Sequence, residues 1–496
     1  MSDLSPNQSS ADNYHQGSQQ DEGYGHYRQL GLLLTLYFAQ GLPAGFITQA
    51  LPAILREYQA SLVAIGWSGL ILLPWGLKFL WSPWVDAHYR PTMGRSRSWI
   101  LPLQLGSIIV LVVIAFFEPQ NLSQANTVIT LYALLFVLSL MGATHDIATD
   151  GLATRLLKRP ILTTDPISSD IALTLPDTAP SVVQSPVKHT NHEQQRTHRH
   201  SQGNAVQAIG YRMGLILGGG VLLMALDVVG WRANFLIMAG LVGLNTLPIL
   251  RFREPATVTD LSVSNYQMSN IAPVAANTSK RVSVSIASIL TYIQHHYQYF
   301  WSTKELRAWL GVLLVFKIAD GLSSGMVKPM MVDFGVSLNR IGFWVTILGS
   351  AASLMGAGVA TLLMKRLTRY QALLGFNLLQ ALTTGLYGAV AYGFYHGYLQ
   401  QFAWLYAINA LEHFCASLAL VAMLTTIMHY ARTDRAGSDF TVQVCLLTAL
   451  GGSAHFVGGY TAKLLGYTAH FSLSLIVGIL CLVPIILWHK TQNKEK

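Results

Sequence analysis

Long runs of apolar residues, each interrupted by only a few polar ones, recur along the whole 496-residue chain. A helix needs about 20 such residues to cross the hydrocarbon of a bilayer. Within hydrocarbon, only a helix or a closed barrel satisfies its own backbone hydrogen bonds. By that ruler residues 29–55, 62–85, 99–117, 127–150, 205–226, 233–250, 307–331, 339–364, 370–394, 401–429, 440–464 and 471–488 are twelve candidate spans. Composition agrees, since 11% of residues are charged against about 25% in a soluble domain. The net charge of +9 does not imply a nucleic-acid partner: such proteins carry a dense basic face, which these runs lack. Three cysteines inside apolar runs, Cys415, Cys445 and Cys481, exclude a secreted disulfide scaffold. The expected fold class is an all-α polytopic membrane protein.

Polar stretches set the domain organisation. Residues 1–28 have no basic-then-apolar signal pattern and are expected to be a disordered cytoplasmic terminus. Residues 29–250 form a first six-helix bundle carrying a polar, His-rich insertion at 155–204. A linker at 251–306 leads to a second six-helix bundle at 307–488 and a tail at 489–496. With the N-terminus inside, 24 of the 32 Lys and Arg residues fall in cytoplasmic segments, which places both termini inside. Two six-helix halves joined by a long cytoplasmic linker is the major facilitator arrangement. No GxSxG, HExxH or phosphate-binding loop is present, so neither an enzyme nor an ATP-driven pump is expected, and no cofactor.

Seven ionisable residues fall within spans: Lys78, Asp146, Asp150, Arg212, Lys317, Asp320 and Glu412. Charges are costly there and mark transport pathways. At about 1.5 Å per residue, the first four lie in the cytoplasmic third and the last three near the midplane. Asp146 and Asp150 share a helix face, as do Lys317 and Asp320. Three cations oppose four anions, which leaves one carboxylate for a substrate or a proton. Burial disfavours a charged carboxylate, and Glu412, with no cation on its own span, is the expected proton carrier. All seven could instead be ion pairs that only join helices.

Between spans two and three, Ser82-Pro83-Trp84-Val85-Asp86-Ala87-His88-Tyr89-Arg90-Pro91-Thr92-Met93-Gly94-Arg95-Ser96-Arg97 resembles the major facilitator loop pattern. The resemblance implies a cytoplasmic gate, with Asp86, Arg90, Gly94 and Arg95 as candidates. An acid at a helix end also suits the positive N-terminus of a neighbour. Trp75, Tyr211, Gln40 and His413 are candidate substrate-lining residues, although interface anchoring or packing is the favoured role for the tryptophan.

The segments Gly41-Leu42-Pro43, Lys78-Phe79-Leu80-Trp81-Ser82-Pro83, Thr144-His145-Asp146-Ile147-Ala148-Thr149-Asp150, Gly210-Tyr211-Arg212-Met213-Gly214 and Lys317-Ile318-Ala319-Asp320 resemble the AmpG-like branch of the major facilitator superfamily. That branch includes muropeptide permeases and acetyl-CoA transporters. Within it, Asp150-Gly151-Leu152-Ala153 and Ala436-Gly437-Ser438-Asp439-Phe440-Thr441-Val442-Gln443 look more like siderophore importers of the RhtX and FptX type. His145, where the family usually has Gln, and the 155–204 insertion depart from the pattern. The resemblance implies a proton-coupled siderophore importer in the bacterial inner membrane, working as a monomer by alternating access. The alternatives are a muropeptide or other amphiphilic-solute permease and, in another class, a non-transporting receptor. His189, His192, His198 and His200 of the insertion read as a solvated linker, with no metal expected.

Overall fold

The computed structural model describes residues 8–90, 92–158, 206–207, 209–254, 291, 298–432 and 436–492, and gives the backbone alone at 8–26, 83, 86, 87, 123, 125, 157, 158 and 436–438. Residues 1–7, most of the insertion and linker, and the end of the tail lie outside these.

Ten continuous helical stretches are long and apolar enough to cross a membrane, and two of them are double. The first span, α1, is Tyr27–Glu57; it is followed by α2 Leu62–Leu80, α3 Arg97–Ala115 and α4 Asn126–Leu156. Ile209–Arg251 is bent at Gly230, which has φ +76°, into α5 (209–229) and α6 (231–251). The second half holds α7 Lys304–Asp333, α8 Leu338–Leu363, α9 Arg369–Tyr395 and α10 Ala403–Tyr430. Asp439–Gln492 is likewise bent at Gly466, φ +74°, into α11 (439–465) and α12 (467–492). Positive φ is the left-handed region that residues with a Cβ avoid, so a glycine turns the chain in both halves at the same place. Among the described residues this makes twelve spans, as the apolar lengths required.

One expectation is corrected at the N-terminus. The helix leading into α1 begins at Gln8, so residues 8–28 are helical backbone rather than disordered. Once a stable span supplies the nucleus, each further residue adds a hydrogen bond at propagation cost only.

Several spans are not regular. Phe46–Ala50 in α1, Leu217–Val221 in α5 and Ile341–Ile347 in α8 are π-helical, while Ser68–Leu72 and Lys78–Leu80 in α2 are 3-10 turns. Proline contributes in two of these spans: Pro52 and Pro74 cannot donate to the preceding turn, which frees a carbonyl and lets the winding change. The outer faces, among them Leu105, Ile109, Leu244, Leu354 and Leu464, are exposed and apolar, as a lipid-facing surface must be.

The halves meet through small residues. An added Cβ at Gly459 of α11 would lie 2.7 Å from the Gly66 Cα of α2, and one at Gly342 of α8 would lie 2.7 Å from the Gly220 carbonyl of α5. Without hydrophobic drive between helices in lipid, such backbone approach is what holds spans together. The seam covers the end away from the Lys/Arg-rich loops, here termed the far end. There Arg56 at the end of α1 pairs with Asp333 at the end of α7 (2.5 Å), and the Tyr467 hydroxyl donates to the same carboxylate (2.7 Å). Deeper, the Lys328 ammonium donates to the Gln49 carbonyl at 2.8 Å and to its amide oxygen. Gln49 belongs to the π-helical turn of α1, which frees carbonyls for such use. Lys328, three residues from the end of the 307–331 run and not among the seven charges counted above, is buried (7% exposed). It joins the intramembrane charges because α7 continues five residues beyond it to Asp333 and the closed seam covers it.

Replacing Gly459 by Leu should prevent far-end closure. In a background lacking native cysteines, Ser68→Cys, buried in this seam at Ser68, should then react severalfold faster with a membrane-impermeant maleimide. Unchanged labelling would show that the α2–α11 approach does not control that end.

Candidate functional site

With the far end shut, the halves diverge toward the basic end around a cavity of about 710 Å³. The first half lines it with Tyr37, Trp75, Lys78, Asp146, Asp150 and Tyr211, and α11 supplies Phe440, Thr441, Cys445 and Thr448. The 3-10 turn at 78–80 follows Pro74 and brings Lys78 to the wall, where it pairs with Asp146. Asp150, one turn further along α4, accepts from the Tyr37 hydroxyl (2.7 Å) and from the Gln207 amide (3.4 Å). The cavity therefore holds two carboxylates and one ammonium, the second carboxylate being satisfied by neutral donors. Such a wall can exchange partners with a charged solute without leaving a bare buried charge.

A second set of charges lies inside the second half. Lys317 donates to Asp320 (2.7 Å), whose other oxygen accepts from the Gln380 amide (2.9 Å). Among the described residues, Glu412 has neither a hydrogen bond nor an ion pair, and the same holds for Arg212. None of Lys317, Asp320, Glu412 and Arg212 lines the cavity, so the two charge sets do not face each other across it in this conformation. Inclusion of Lys328 makes four cations against four anions. The numerical excess of one carboxylate disappears, and Glu412 is distinguished among the four carboxylates by lacking a side-chain partner within the described residues.

The four lining candidates divide. Trp75 and Tyr211 line the cavity. Gln40 instead bonds His145 inside the first half (2.9 Å). His413 packs on α8, where an added Cβ at Gly349 would lie 2.5 Å from its ring.

Two of the four loop candidates, Gly94 and Arg95, contact groups of their own half. Gly94 has φ +95° and its turn sits on Glu254, whose Oε2 accepts from the backbone N–H of Ser96 (2.8 Å) and of Arg97 (3.3 Å). Its Oε1 accepts from Arg155 (2.8 Å), which also donates to the Ser96 hydroxyl. Arg95 lies over the Tyr89 ring (5.7 Å), Arg90 is exposed, and the Asp86 side chain is outside the described residues. Sequence reasoning missed Glu254, Arg56, Asp333 and Lys328. A count of basic residues passes over acids, though Glu254, directly before Pro255 at the end of α6, was a visible helix-terminus signal.

The motif behind the siderophore resemblance is largely structural. Asp439 is fully buried at the start of α11 and holds Arg432 by two bonds of 2.8 Å. Gln443 accepts from the Trp309 indole (2.8 Å). Phe440 and Thr441 of that stretch, with Asp150 and Ala153 of the other, reach the cavity.

Lys78→Met should leave Asp146 buried without its cation, a loss of ~3–5 kcal/mol for a broken buried pair. The variant should show a lower melting temperature in detergent and no uptake. Lys78→Met combined with Asp146→Asn should recover the melting temperature; if the double variant stays as unstable as the single, the two residues are not coupled.

Comparison with known proteins agrees with this geometry. Residues 29–174 match the family described as acetyl-coenzyme A transporter 1. The anhydromuropeptide permease of Escherichia coli strain K12 is 23% identical over 471 residues, covering 93% of this chain and 79% of the relative. A crystal structure of a POT family transporter in complex with 5-aminolevulinic acid superposes with a TM-score of 0.61 at 14% identity, covering 94% of this chain and 96% of that one. The D-xylose-proton symporter gives a TM-score of 0.59 at 12% identity, over 93% and 97%. The chain thus has the multi-pass major facilitator fold and is similar in sequence to the anhydromuropeptide permease and, over residues 29–174, to the acetyl-coenzyme A transporter family.

Proposed function

We propose that this protein is a proton-coupled importer of an amphiphilic solute of the muropeptide class, working by alternating access in a bacterial inner membrane. The observation that carries the reading is the cavity between the halves, sealed at the far end by Arg56–Asp333 and Lys328–Gln49 and walled by Lys78, Asp146 and Asp150. Its mixed lining of Trp75, Phe440 and Val444 beside three charges suits a solute with apolar and ionised parts. The Lys/Arg-rich loops make the open end cytoplasmic, so the conformation is inward-facing. The permease relative supports a muropeptide over a siderophore, and Asp439 and Gln443 of the siderophore-like motif are engaged with Arg432 and Trp309 rather than with the cavity. Gly94 and Arg95, held by Glu254 and Tyr89, would form the cytoplasmic gate with Asp86 and Arg90 when the seam reverses.

The direct test is uptake of a radiolabelled 1,6-anhydro-N-acetylmuramyl peptide into right-side-out vesicles carrying an imposed proton gradient. Accumulation that collapses with a protonophore is expected. Accumulation of a ferric siderophore without that of the peptide would transfer the function to the siderophore reading.

Glu412 is the residue proposed to carry the proton. Glu412→Gln keeps the shape of the protonated acid while removing its titration, so it should abolish gradient-driven accumulation and retain peptide exchange across the membrane. Wild-type accumulation in this variant would make Glu412 a structural residue and turn attention to Asp320.

A further inference from the structure

Behind the cavity wall lies a smaller pocket inside the first half, of about 40 Å³, that shares Ala44, Leu72 and Trp75 with the main cavity. Four polar atoms at its lining have no hydrogen-bond partner among the described residues: both amide atoms of Gln104, the Ser139 hydroxyl and Nε2 of His145. The three side chains are 3%, 3% and 4% exposed. A buried polar atom left unpaired is costly, and native structures pair nearly all of them. Four around one space, on α3 and α4, point to a bound group.

The chemistry of that group follows from the donors and acceptors. The Gln40 amide engages Nδ1 of His145 at 2.9 Å, so with Gln40 donating, the ring proton sits on Nε2 and needs an acceptor. Gln104 offers one donor side and one acceptor side, and Ser139 offers both. Lys78, Asp146 and Asp150 line the main cavity and are absent from this lining. A charged group would therefore find no counter-charge, whereas a neutral group that donates and accepts would satisfy the lining. A water takes roughly 10–15 Å³ on this measure, so the pocket admits about three, or a single hydroxyl or amide arm.

We propose that this pocket is a binding site for uncharged hydrogen-bonding groups, opening from the transport cavity past Trp75. Water supplies the group in the empty carrier, and a hydroxyl or amide arm of the substrate supplies it during transport. The second part rests on the transport reading above; the first does not. Occupancy also braces α4 from behind while Asp146 and Asp150 face the cavity.

Radiolytic labelling of the empty protein in ¹⁸O-water tests the site. His145 and Leu138, at the pocket, should oxidise severalfold faster than Leu131 and Leu135, which are buried on the same helix. Gln104→Met, which keeps the volume and removes the polar atoms, should reduce His145 labelling to the level of Leu135 while the protein stays folded. Equal labelling of all four residues in the wild type would overturn the site. Repeating the measurement with saturating 1,6-anhydro-N-acetylmuramyl peptide separates the sources. Protection of His145 that is lost in Gln104→Met is the expected result, and unchanged labelling despite demonstrated peptide uptake would overturn the substrate arm and leave a solvent site.

Discussion

Hydrocarbon offers no hydrogen-bond partner, so every polar group in the spans must find one inside the protein or in what it carries. That constraint explains why the irregular turns and the charges occur together. The π-helical turn at Phe46–Ala50 presents the Gln49 carbonyl to Lys328, and the 3-10 turn after Pro74 presents Lys78 to Asp146. A straight α-helix would commit the Gln49 carbonyl to its own ladder, and Lys78 reaches Asp146 through its side chain. Irregular winding is tolerated because it faces the seam or the cavity, where protein or solvent completes the bonding.

The two ends of the molecule use different forces. At the far end, glycines let backbones touch, and the Arg56–Asp333 pair, half-shielded, adds specificity more than strength. At the basic end, each half is braced separately, the first by Glu254 with Arg155 and Ser96, the second by Asp439 with Arg432 and by Gln443 with Trp309. Under the proposed alternating access, internal bracing of each half at the open end would let the halves move as rigid bodies, and the backbone-close contacts between them would be exchanged for others.

Several features were legible in the chain alone. Span number and length followed from apolar runs, and the breaks at Gly230 and Gly466 lay where two runs nearly touched. Lys317–Asp320 was readable because a spacing of three on one helix fixes the meeting of two side chains; for the same reason Asp146 and Asp150 were seen to share a face. The Lys78–Asp146 pair was not readable, since its partners lie 68 residues apart on different helices. Lys328 was not counted among the intramembrane charges for a related reason: a residue five positions from a helix end is in water or buried depending on what covers that end.

Sequence by itself determined that the chain crosses the membrane many times in two similar halves, because transfer into hydrocarbon depends on the residues of each segment and little else. It also determined which residues would be costly there. Tertiary structure decided which of them meet, which face the cavity and which end of the seam is closed. Coulombic and hydrogen-bond energies depend on distances between helices remote in sequence, and those distances are set by the packing of small residues at a few crossings.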